Sequence, residues 1–147
     1  MSTKDIYQVR WETLIAVLKD AAAREVEFDI CMWEKRAVTH SCGFAGCAIG
    51  WACQYPEINT LGLSLKYEDD GIVAPIYKTH EGTDAIVEWL GIGEMKIRTA
   101  GWMAFAWSGY GFTYDEGHQV TLPMVIERLE QLYPRFLEER AAAMVEA

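Results

Sequence analysis

Between His40 and Cys53 the chain reads His-Ser-Cys-Gly-Phe-Ala-Gly-Cys-Ala-Ile-Gly-Trp-Ala-Cys, which gathers three of its four cysteines, three glycines and three alanines into fourteen residues. Few surface segments tolerate so many small residues. A helix over about 44–54 puts Gly46 and Gly50 on one face, four residues apart. Glycine costs about 1 kcal/mol relative to alanine inside a helix, so two of them call for close backbone contact. The same stretch can also be read as a thiol site. Structural zinc needs four ligands in tetrahedral array, commonly from C-x2-4-C knuckles. Here Cys42, Cys47 and Cys53 are spaced by five and six residues, and on a helix Cys47 and Cys53 point roughly 240° apart. A Cys42–Cys47 disulfide needs Cys42 ahead of the helix, and an intracellular chain keeps such thiols reduced. A nucleophilic Cys42 or Cys47 near a helix N-terminus would need a base from His40, His80 or His118. The expectation is therefore a structural motif made of Cys42, Gly43, Gly46, Cys47, Gly50 and Trp51, with no metal and no cofactor.

The remaining sequence predicts a single domain over 1–147 of α+β class, mostly helical, with four to five helices and one small β-hairpin. Ser2 or Thr3 can cap a first helix running to about residue 24, with Tyr7, Trp11, Leu14, Ile15, Leu18 and Ala22 on its apolar face. Val26 and Phe28 alternate with charged residues as a short extended segment, and Pro56 is expected to close the small-residue helix. Leu63, Leu65 and Tyr67, the Asp69-Asp70-Gly71 turn and the run 72–77 read as the hairpin, with Pro75 confining its strand to an edge. Thr83 can cap a helix over 84–90 that Gly91 ends, and another helix is expected over 94–107. Thr121 and Pro123 lead the last helix, which Pro134 is expected to bend or interrupt.

The segments Phe28-Asp29-Ile30-Cys31-Met32-Trp33 and Cys42 to Ala52 together resemble a signature, F-D-M-x-x-W … C-G-T-x-x-C-x-x-G-W-A, of small uncharacterised bacteriophage and bacterial proteins. Leu90-Gly91-Ile92, 102–107 and Val120-Thr121 match it loosely. Phe44 stands where those proteins usually have Thr. The resemblance implies a phage or mobile-element origin and carries no reaction with it.

A formal net charge of −9 disfavours direct binding to DNA or RNA backbones and favours solubility or competition for a basic site. The polar N-terminus and the absence of a long apolar run predict a protein of the cytoplasm, the host's if phage-encoded, with no membrane partner. No P-loop, dinucleotide fingerprint or H-E-x-x-H occurs. The glycine- and aromatic-rich stretch at the end of the 94–107 helix and beyond it is the best binding candidate: Trp107, Tyr110, Phe112 and Tyr114 can offer ring faces, with Arg98 as a source of positive charge. The functional expectation is a non-catalytic phage-type accessory protein that binds a host protein or sequesters a small nucleotide ligand, with antagonism of a host defence factor as its role. The alternative is a small cysteine- or zinc-dependent enzyme centred on Cys42 and Cys47. A homodimer is compatible with both.

Overall fold

The first long helix, α1 (Ile6–Ala23), starts and stops by recognisable local chemistry in a computed structural model that describes residues 5–26, 28, 48–67, 73–113, 116 and 119–146. Asp5, rather than Ser2 or Thr3, is its cap. The Gln8 backbone N–H donates to Asp5 Oδ1 at 3.0 Å, and the Asp5 N–H donates to Gln8 Oε1 at 3.1 Å, closing a capping box. At the other end Glu25 takes a left-handed φ of 53°, while the N–H groups of Glu25 and Val26 return to the carbonyls of Ala22 and Ala21. That Schellman pattern satisfies two carbonyls the helix would otherwise orphan.

The small-residue helix is described over α2 (Ala48–Ala52), and all five of its residues are buried. A helix apolar on every side belongs in a core, and α2 packs against α1. Gly50 and Trp51 lie in it, whereas Cys42, Gly43, Gly46 and Cys47 lie outside the described residues. Pro56 opens a further helix, α3 (Pro56–Thr60), instead of only closing the previous one. Its fixed φ and missing N–H suit a first helical turn.

The hairpin forms as expected, from β1 (Ser64–Tyr67) and β2 (Val73–Tyr77), antiparallel with Ser64 opposite Ile76 and Lys66 opposite Ala74. A third strand, β3 (His80–Glu81), pairs with β2, so the order β1-β2-β3 makes β2 central rather than an edge. Pro75 is tolerated because β3 reaches only Ile76 and Tyr77. On that side the Pro75 carbonyl accepts the Gly82 N–H at 2.8 Å, and no strand asks for the N–H that proline lacks.

Helix α4 (Thr83–Leu90) packs on this sheet and ends at Gly91, with φ 75°. A Cβ on Gly91 would lie 2.6 Å from the Tyr7 ring. Gly91→Ala is therefore expected to destabilise the chain by about 1–3 kcal/mol, from left-handed strain plus displacement of Tyr7. Denaturant titration checks this, and an unchanged midpoint would contradict it. Between Gly91 and residue 107 the expected single helix is shorter: α5 (Arg98–Met103) follows a series of turns and leads to a 3-10 turn, Trp107–Tyr110. A distant residue marks its start. The Glu139 carboxylate accepts the N–H groups of Lys96 (2.9 Å) and Ile97 (3.1 Å) just ahead of α5.

The last helix, α6 (Leu122–Glu146), runs through Pro134 without interruption. Leu122, Val125, Ile126, Leu129, Leu132 and Phe136 form its buried stripe. Helices α1 and α6 pack together, and Arg140 Nε reaches the capping Asp5 carboxylate at 2.7 Å. The Trp11 ring stacks between the two at centroid distances of 5.7 Å to Tyr133 and 5.3 Å to Phe136. The described residues thus form a mostly helical α+β fold around one apolar cluster.

Candidate functional site

α1 has α6 on one side and α3 on the other, and its outward face between them is low because Ala16, an exposed residue, has almost no side chain. Two open depressions meet over it, sharing Glu12 and Ala16. One, of about 350 Å³, lies toward α6 and is lined by Ile15, Lys19, Glu130, Tyr133 and Pro134. The other, of about 630 Å³, lies toward α3 and is lined by Thr13, Val17, Asp20, Tyr55 and Glu57. Together they form a two-lobed hollow with an apolar floor and four carboxylates.

One tyrosine is fixed in each lobe by a carboxylate of α1. Tyr133 Oη donates to Glu12 Oε2 at 2.5 Å, and Tyr55 Oη donates to Asp20 Oδ2 at 2.7 Å. Burial and then the hydrogen bond to Asp20 push the Tyr55 phenol up to about 12, from an ordinary 10. Burial, the bond to Glu12 and that carboxylate's charge raise Tyr133 likewise. Both phenols are donors locked to acceptors, which makes them poor bases. Lys19 Nζ lies 3.1 Å from Glu130, and the Arg24 guanidinium sits 5.7 Å from the Tyr55 ring centre.

A second polar centre lies inside the fold. Arg10 is 8% exposed, and the described residues bring no carboxylate within ion-pair reach of it. Its Nη1 donates to the Trp89 carbonyl (3.1 Å) and its Nη2 to Tyr77 Oη (3.2 Å), while its Nε has no hydrogen-bond partner among the described residues. The rings of Tyr77, Tyr7 and Trp89 surround it at 5.0, 5.2 and 5.8 Å. Next to it, Trp11 Nε1 donates to the Leu90 carbonyl at 3.0 Å. Two adjacent residues of α1 thereby take the last carbonyls of α4, where the helix dipole places negative charge. Burial pushes the Tyr77 phenol up, but hydrogen bonds and charge from Arg10 and Lys78 outweigh it and hold the phenol below 10. This centre joins two helices and has a structural explanation.

The expected aromatic loop is only partly described. Tyr110 Oη donates to the Ala104 carbonyl at 2.7 Å, and the Arg128 guanidinium covers its ring at 4.5 Å while donating to the Gly109 carbonyl. Burial pushes the Tyr110 phenol up to about 12, the nearby Arg128 charge opposing it. Phe112 packs against the core cluster. The Trp107 side chain and Tyr114 lie outside the described residues. Arg98 pairs with Asp84 at 3.7 Å, so the cation at this loop is Arg128. A small hollow of about 210 Å³ lies beside it, between Tyr110, Met124, Glu127, Arg128 and Gln131. A Cβ on Gly109 would strike the Met103 carbonyl, which explains the glycine there.

In comparisons with known proteins, no family model, curated protein or solved structure matches this chain. Among the described residues, no group of three or more His, Cys, Asp or Glu side chains is arranged to hold a metal ion, and no helix is long and apolar enough to cross a membrane. Cys53 is buried at the end of α2, and the other three cysteines lie outside the described residues.

The raised phenols give a pH dependence. Tyr55, Tyr110 and Tyr133 bind their protons more tightly folded than unfolded, so their contribution to stability is complete below pH 10 and falls as the pH rises toward 12. The lowered Tyr77 works in the opposite direction, one group against three. A denaturation midpoint that drops steadily above pH 10 is expected, with a shallower drop in Tyr55→Phe. A flat profile over that range would contradict the packing given for these rings.

Proposed function

We propose that this chain is a non-catalytic binding protein whose partner surface is the two-lobed hollow over α1. The observation that carries the reading is Ala16: an exposed alanine between two depressions, each with an apolar wall and a tyrosine fixed by a carboxylate. Rigid aromatic anchors are features of protein recognition sites. Neither lobe is lined, among the described residues, by a cysteine, histidine or serine, and both tyrosines are held as hydrogen-bond donors. The partner in this reading is a host protein, and the role is the phage-type accessory one to which the sequence signature points, including antagonism of a host defence factor. The aromatic loop is less suited as the contact, because the hollow beside it is smaller, about 210 Å³.

Ala16→Trp tests it. The substitution fills the saddle from an exposed position, with a helix-propensity cost of only about 0.5 kcal/mol. The expected result is an almost unchanged melting temperature together with loss of the proteins that co-purify with the tagged chain from host cells. If the same proteins are retained by Ala16→Trp, the hollow is not the partner surface.

A further inference from the structure

We infer that the hollow over α1 takes a basic segment of a partner protein, seating cationic side chains on both sides of Ala16. The inference rests on the proposed binding role and gives the partner its chemistry. Each lobe has the three elements that hold a lysine or arginine. An apolar wall accepts the aliphatic stem: Ile15 and Pro134 on the α6 side, Val17 on the α3 side. A tyrosine ring stands in each lobe: Tyr133, which stacks on Trp11 and Phe136, and Tyr55, where an incoming cation would take the place Arg24 now holds 5.7 Å from the ring centre. Carboxylates stand at the rim, Glu12 with Glu130 in one lobe and Asp20 with Glu57 in the other.

The fold already displays this mode of contact with its own residues. Arg24 lies over the Tyr55 ring while facing Asp20 at 3.7 Å, and Lys19 pairs with Glu130 beside Tyr133. The tyrosines hold Glu12 and Asp20 in place, so an incoming cation meets carboxylates that are already oriented. That lowers the ordering cost of binding. The hollow is also open and divided by the α1 ridge, which suits a chain with side chains projecting to either side. A second copy paired face to face would set carboxylate against carboxylate, at a net charge of −9 per chain.

The probe is a fluorescein-labelled amphipathic peptide of leucine and arginine, with a leucine–glutamate peptide as control, read by fluorescence anisotropy against the full chain. The arginine peptide is expected to bind and the control to remain free. The double variant Glu57→Lys/Glu130→Lys is expected to weaken binding by roughly tenfold or more, and added salt to weaken it steeply. Ala16→Trp, which changes no charge, is expected to weaken it comparably. Equal affinity for wild type and Ala16→Trp would reduce the interaction to general attraction by an acidic surface and overturn the inference. So would full displacement of the peptide by equimolar spermidine, which would make a free polyamine the better occupant. A dimer in sedimentation that the same charge reversals abolish would make a second copy the occupant, with the same consequence. A host partner whose capture requires Ala16 but whose contacting segment is neutral or acidic would overturn the cationic partner and leave the binding role standing. A partner indifferent to Ala16 would remove the hollow itself.

Discussion

Trp11→Ala is expected to destabilise the fold by about 4 kcal/mol and to lower the melting temperature by roughly 10–15 °C. Trp11 is fully buried, and its ring lies against both Tyr133 and Phe136 of α6. Its indole N–H also donates to the Leu90 carbonyl at the end of α4. Truncation opens a cavity where α1, α4 and α6 meet and leaves that carbonyl without its donor, so a transfer penalty and a hydrogen-bond penalty add. Trp11→Phe separates the two terms. It keeps a stacking ring and loses the donor, with an expected cost of about 1–2 kcal/mol. Calorimetry or urea titration of both variants measures the difference. Equal, small losses would mean that Trp11 is not the joint between these helices.

Arg10→Ala is the second large effect, expected at about 3 kcal/mol. The guanidinium satisfies the Trp89 carbonyl and the Tyr77 hydroxyl and fills the space between three rings. Without it, both polar groups stay buried and the rings lose their filler. Arg10→Met is expected to cost less, about 1–2 kcal/mol, because it restores volume and removes a desolvated charge together with the donors. Should methionine prove as damaging as alanine, the hydrogen bonds would outweigh packing at this site. Should alanine be harmless, the buried guanidinium would not hold α4 to α1.

What could be read from the sequence is what neighbours decide. The α1 stripe at Trp11, Leu14 and Leu18, the 64–67/73–77 hairpin and the stop at Gly91 follow from periodicity and turn chemistry. The errors come from contacts that local pattern does not carry. α5 begins where Glu139 of α6 supplies an acceptor, more than forty residues away, so a helix over 94–107 was too long. Pro75 lies in a central strand because its neighbour β3 is too short to require its N–H. Arg10 has no place in the apolar stripe read on α1, yet the α4 terminus draws it inside. The hollow was invisible for the same reason: Tyr133 meets Glu12 across 121 positions. Its one local trace is a small residue, Ala16, on the polar side of α1. Of the small-residue motif, Gly50 and Trp51 are buried in α2, and its other four residues lie outside the described ones.

The most direct measurement places a photo-activated cross-linking amino acid at position 16, and separately at the exposed position Thr99 on α5, in chains expressed in the host cell. The binding account predicts a discrete adduct from position 16, mapping to a lysine- or arginine-rich segment of one protein, and none from position 99. An adduct at position 99 with nothing at position 16 would contradict it.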